Sequence, residues 1–193
     1  MRGRPREFDK DQALGEAMRV FWRQGFNGTA VADLEEAMGL GRQSIYNAFG
    51  DKEQLFDAAL ELYLDAGMKP ITEVLDREGS ALGNVLDVLE MWENHHGDGN
   101  GNGCLLANSI CEHEAMPGER DALFRGAVER LEGAFARAFD RAQEQGELSA
   151  ARDPAALGRL FATLGQGLSV MSRVQSPEFM IGAIQGARQL ITA

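Results

Sequence analysis

Thr29-Ala30-Val31-Ala32-Asp33-Leu34-Glu35-Glu36-Ala37-Met38-Gly39-Leu40-Gly41-Arg42-Gln43-Ser44-Ile45-Tyr46-Asn47-Ala48-Phe49 decides how the rest of the chain is read. Val31, Leu34 and Met38 recur at helical spacing, Thr29 stands where a cap belongs, and Gly39 closes the segment. After Gly41 a second short stripe runs through Ile45, Tyr46 and Phe49. Two short helices meeting across Gly39-Leu40-Gly41 match a helix-turn-helix, in which the second helix enters the DNA major groove.

Working outward, Asp9 followed by Gln12 predicts a capping box that opens a helix with Leu14, Ala17, Met18, Phe21 and Trp22 on its apolar stripe and Gly25 at its end. Asp51 and Gln54 repeat the box and start a longer helix burying Leu55, Phe56, Ala59, Leu60 and Leu62 to Leu64. Beyond Gly67 the glycine and proline spacing changes, which predicts a second helical unit. The expected domains are residues 1–64 and 65–193. In the second, Met68 to Asn94 should be helical with a break near Gly79-Ser80, and His95 to Gly103 should be an exposed loop. Cys104 to about His113 and Glu119 to Gln145 should be helices. Asp153-Pro154 and Ser176-Pro177 place a capping side chain before proline, opening two final helices. Alternating strand patterns are missing, so the fold class is all-α: an N-terminal three-helix DNA-binding head and a C-terminal helical unit.

Composition narrows the function. The 193 residues are 44% hydrophobic and 25% charged, ordinary for a folded protein. Nineteen Lys and Arg against thirty Asp and Glu give a net charge of −11, which excludes coating nucleic acid or an anionic membrane by bulk charge. Even residues 1–64 hold eight Lys and Arg against eleven acids. Positive charge must therefore act locally, while the acidic remainder should suppress non-specific DNA binding. No segment approaches the roughly 18 apolar residues of a membrane span, and no signal-peptide core follows Met1-Arg2-Gly3-Arg4-Pro5-Arg6. The expected location is cytoplasmic, with Cys104 and Cys111 as free thiols.

Phe8 to Leu64 resembles the TetR (tetracycline-repressor-like) family of transcriptional regulators. The resemblance is carried by Ala13-x3-Ala17-x3-Phe21-x3-Gly25-Phe26, by Thr29-x3-Asp33-Leu34-x2-Ala37-x-Gly39-Leu40, and by Ile45-Tyr46-Asn47-Ala48-Phe49-x-Asp51-Lys52-x2-Leu55. It implies C-terminal helices that enclose an effector pocket and form a homodimer through the last two helices as a four-helix bundle. The apolar residues there, among them Leu160, Leu164, Leu168, Met171, Phe179 and Leu190, exceed what one pair of helices hides.

Arg42, Gln43 and Ser44 fall in the first turn of the expected recognition helix, where Arg pairs bidentately with guanine and Gln with adenine. Tyr46 and Asn47 can donate to phosphates, and Thr29 and Lys52 lie at helix starts that favour phosphate. For Tyr46 half-buried packing is the rival role. Arg2, Arg4 and Arg6 form an arm able to follow the backbone or enter a minor groove, or only a disordered terminus. Phe21, Trp22, Ile45 and Phe49 are core by their spacing.

In the second unit Met91, Trp92, Met116, Phe124, Phe135 and Met171 are candidates for an apolar effector pocket, with core packing as the alternative. Asp98-x-Asn100-x-Asn102-Gly103 copies the start of a calcium loop but has Ser109 where the bidentate glutamate belongs. His95, His96, Cys104, Cys111, Glu112 and His113 offer metal-ligand atoms at no recognised spacing, so no metal or cofactor is assigned. Cys104 and Cys111 lie about 10.5 Å apart along one helix, too far for an internal disulfide. Cys104 near a helix N-terminus suits an oxidant or electrophile sensor, or a small core residue. No nucleophile elbow or P-loop is present, so an enzyme is not expected. The reading is a homodimeric repressor that binds a palindromic operator and is released by a small apolar or thiol-reactive effector. The alternatives are a helical small-molecule binder and a metal or redox sensor.

Overall fold

The Asp9 carboxylate accepts the backbone N–H groups of Asp11 at 3.0 Å and Gln12 at 3.1 Å, which starts the first helix, α1 (Lys10–Gly28). The computed structural model describes residues 8–97, 103–112 and 119–192. Among the described residues α1 is followed by α2 (Val31–Met38), α3 (Arg42–Phe49), α4 (Lys52–Leu75), α5 (Ala81–Gly97), α6 (Leu105–Glu112), α7 (Glu119–Glu144), α8 (Pro154–Met171) and α9 (Pro177–Thr192), and no strand occurs. The chain divides into two compact units, Met1–Tyr63 and Leu64–Ala193.

In the first unit α1 breaks at Gly25, whose φ of 73° and ψ of 171° lie outside the helical region. Phe56 then meets Phe21 and Phe26 edge to face, 5.1 Å and 5.0 Å between centroids. Leu34, Ile45, Leu55 and Leu60 are fully buried beside them, so α2, α3 and the first half of α4 are fixed through their apolar stripes. At the turn, Gly39 adopts φ 64°, the left-handed conformation that ends α2 and frees the chain to restart as α3. A Cβ there would meet nothing within 4 Å, so the backbone rather than space calls for glycine. The Asp51 box forms in full: Asp51 N donates to Gln54 Oε1 at 3.0 Å, and Gln54 N to Asp51 Oδ1 at 2.9 Å.

Two boundaries stand out in the second unit. First, α4 continues without a break through Gly67 and Pro70 to Leu75. Met68, Ile71 and Leu75 lie against the core of that unit at helical spacing, and this packing outweighs the poor propensity of glycine and proline. The helix stops where the Arg141 guanidinium, reaching from α7, donates to the Leu75 and Asp76 carbonyls. Second, His95 and His96 belong to the last turn of α5 rather than to a loop. The core joins Leu89 and Trp92 of α5 to Phe135 and Phe139 of α7, Phe161 and Leu168 of α8, and Ile184 of α9. Asp153 caps α8, accepting Ala155 N at 2.9 Å. Leu160 and Met171 on α8 and Phe179 and Leu190 on α9 remain exposed.

Candidate functional site

Ile45 is the buried residue of α3, and everything polar on that helix faces outward. Arg42, Gln43, Ser44 and Asn47 are exposed and Tyr46 is half-buried. One helical turn separates the members of two side-chain pairs. Arg42 Nε donates to the Tyr46 hydroxyl at 3.2 Å, its guanidinium 5.2 Å from the ring centroid. Gln43 Nε2 donates to Asn47 Oδ1 at 3.0 Å. Five of the residues singled out in the sequence thus form one polar, donor-rich surface on an eight-residue helix.

Lys52 opens α4 with its ammonium 4.4 Å from the centroid of Phe26, which holds the charge at the edge of the same unit. Thr29 takes a different place from the one its sequence position implies. It is 2% exposed, and its hydroxyl donates to the Gly25 carbonyl at 2.6 Å. The cap of α2 falls one residue later, at Ala30, whose N–H is taken by the Asp33 carboxylate at 2.8 Å. The kink at Gly25 leaves a carbonyl to be satisfied, and the threonine turns inward to satisfy it. Its side chain therefore belongs to the packing of the unit. Arg4 and Arg6, with Arg2, lie outside the described residues.

The sequence reading missed Glu35. Its carboxylate accepts the backbone N–H of Arg42 at 2.5 Å, joining α2 to the first turn of α3. The available signal was Gly41, a cap position with no side chain to do that work.

In the second unit Trp92 and Phe135 lie together, 5.7 Å between centroids, inside the core. Phe124 is buried, Met91 half-buried and Met171 exposed, so these candidates do not share one environment. Cys104 precedes α6, half-buried, with its carbonyl accepting Asn108 N at 2.9 Å and its thiol 3.9 Å from Gln166 Oε1 on α8. Cys111 is exposed, and both thiols are free. Among the described residues no three His, Cys, Asp or Glu side chains stand together as metal ligands. Asp98, Asn100, Asn102, His113 and Met116 lie outside the described residues. No described helix is long and apolar enough to cross a membrane.

Comparison with known proteins gives a consistent picture. Residues 13–68 match the model of bacterial regulatory proteins of the tetR family, and residues 75–186 match the tetracyclin repressor-like C-terminal domain. The chain is 32% identical over 174 residues to the uncharacterized HTH-type transcriptional regulator YezE of Bacillus subtilis, covering 89% of this chain and 90% of YezE. It is 29% identical to the HTH-type transcriptional repressor ComR of Escherichia coli, covering 89% of this chain and 83% of ComR. A solved structure of the TetR family transcriptional regulator CifR, a cysteine mutant complexed with 26 base pairs of double-strand operator DNA, has a TM-score of 0.82 at 32% identity, covering 98% of this chain and 100% of CifR.

Proposed function

The chain belongs to the TetR family of bacterial transcriptional regulators, and on that premise we propose that it is a homodimeric repressor that reads a palindromic operator through α3 and releases it when a small effector acts on the C-terminal unit. Residues 1–64 form the DNA-binding domain and residues 65–193 the effector and dimerisation domain. The single observation that carries this reading is the face of α3, which buries Ile45 and exposes Arg42, Gln43, Ser44 and Asn47. Arg42 reads guanine and Gln43 adenine, with Ser44 beside them. Tyr46, Asn47 and Lys52 hold phosphates and set the register. The arm with Arg4 and Arg6 adds contacts to backbone or minor groove.

The exposed Leu160, Met171, Phe179 and Leu190 supply the face on which two copies join. A dimer presents its two α3 helices to successive major grooves, about 34–36 Å apart. Repression is relieved only if the effector binds better to a conformation whose head spacing misfits those grooves, and a coupling of about 1–3 kcal/mol is enough. The protein works in the cytoplasm, where its operator is. Selection of duplexes from a random library by the purified protein tests the reading. A palindrome is expected, and enrichment of no sequence overturns it.

The effector class is a thiol-reactive or apolar small molecule. Two observations favour a thiol: Cys104 lies half-buried just ahead of α6, and CifR was solved on operator DNA as a cysteine mutant. Mild alkylation followed by mass spectrometry and DNA titration checks it. Modification of Cys104 with loss of operator binding is expected, and an unmodified Cys104 with unchanged binding refutes the thiol reading.

A further inference from the structure

Gly41 leaves α3 without a cap of its own, since that position has no side chain to accept a first-turn N–H. The need is met from elsewhere. Glu35 Oε1, on α2 and seven residues earlier, accepts Arg42 N at 2.5 Å. The same residue's carbonyl accepts the N–H of Gly39 and, at 3.3 Å, that of Leu40, closing α2. One residue thus ties the end of the first helix of the motif to the start of the second, across the whole turn.

We propose that Glu35 is a positioning and specificity-determining residue of the DNA interface, a carboxylate that caps α3 from across the turn and holds Arg42 and Gln43 in reading register. The proposal rests on α3 being the groove-reading helix. An acceptor that is charged and set against a helix N-terminus makes the strongest form of cap. Bidentate pairing with a base edge needs the Cα of the reading residue fixed, and the Glu35 bond falls on the amide of Arg42 itself. The carboxylate also occupies an N–H that a phosphate would otherwise take, and its charge opposes any phosphate placed there without compensating base contacts. Glu35 therefore favours operator over random duplex in two ways.

The test measures Kd for a duplex selected by the wild-type protein and for a random duplex of equal length, with Glu35→Gln, Glu35→Ala, Arg42→Ala and the double variant Glu35→Ala/Gly41→Ser. Gly41 has φ −75° and ψ 152°, and a Cβ there meets nothing within 4 Å, so serine fits as a conventional cap of the same first turn, accepting Gln43 or Ser44 N in place of Arg42 N. Glu35→Ala is expected to weaken operator binding about five- to tenfold and to strengthen random binding, so that their ratio collapses. Glu35→Gln keeps an oxygen acceptor and should retain operator affinity while random binding rises. The double variant should regain operator affinity. An unchanged ratio in Glu35→Ala, or no rescue by serine in a protein whose melting is cooperative, overturns the proposal. Should Glu35→Ala alone not fold, Glu35→Gln decides, because an operator-to-random ratio left unchanged when the charge is removed contradicts the proposal. Arg42→Ala separates the two readings. A ratio untouched by Arg42→Ala brings down the role of α3 itself, whereas a ratio lost in Arg42→Ala and kept in Glu35→Ala brings down only that of Glu35.

Discussion

Arg42 and Tyr46 are joined one turn apart on α3, the guanidinium Nε donating to the phenol oxygen at 3.2 Å. On the function proposed above, the pair would divide the labour of a recognition helix between a donor for bases and a hydroxyl for a phosphate. Arg42→Ala should cost about 1–3 kcal/mol on the operator and little on random DNA, because the lost contacts are to a base edge. Tyr46→Phe should cost about 1 kcal/mol on every duplex alike. Titrations on matched and mismatched operators check both. A loss of base preference in Tyr46→Phe equal to that in Arg42→Ala would show that the hydroxyl orients the arginine instead.

Lys52 is proposed for a different kind of contact. Its ammonium rests 4.4 Å from the Phe26 centroid, so the charge is held in place at the start of α4. A lysine on phosphate adds affinity without regard to sequence and releases one counterion. Lys52→Ala should therefore weaken operator and random duplex equally and reduce the slope of log K against log salt by about 1. A sequence-dependent loss would place Lys52 on a base.

The contrast between Asp51 and Thr29 explains how far the sequence could be read. Asp51 and Gln54 make a reciprocal box within one turn, so local spacing is sufficient to see it. Thr29 also stands before a helix, but its hydroxyl is drawn to Gly25 by a kink that no local propensity announces. Glu35 escaped for a related reason, since its partner lies seven residues away across a turn. The continuation of α4 past Gly67 depends on Met68, Ile71 and Leu75 meeting a core built by other helices. Trp92 and Phe135 have the same sequence signature whether they line a pocket or fill a core, and packing decides that they meet in the core. The polar face of α3 was legible because a single buried residue, Ile45, fixes which side is out.

Gly158 on α8 sits where a Cβ would come within 2.8 Å of the Glu132 carbonyl oxygen and 3.0 Å of Ala136 N, both backbone atoms of α7. Backbone cannot swing aside as a flexible side chain can. Gly158→Ala gains up to about 1 kcal/mol in helix propensity but overpacks the contact by about 1–3 kcal/mol, so a net loss of stability is expected. Gly126→Ala on α7 meets nothing within 4 Å and should stabilise instead, by up to about 1 kcal/mol. Denaturant unfolding of the two variants gives opposite signs if α7 and α8 are in close backbone contact.

His96, at the end of α5, titrates below the ordinary imidazole value of 6.5, chiefly because burial disfavours its charged form and secondarily through repulsion from His95, whose ring lies 5.0 Å away. The unfolded chain, lacking both effects, binds the proton more readily. Between 6.5 and the lower folded value, falling pH therefore favours unfolding, while above that window His96 is neutral in both states and contributes no slope. The melting temperature should be lower at about pH 5.5 than at about pH 7.5. In His96→Gln that difference should shrink, because the substituted side chain takes up no proton in either state. An equal fall in wild type and variant would assign the pH dependence to other groups, and a larger fall in His96→Gln than in wild type would reverse the sign argued for His96.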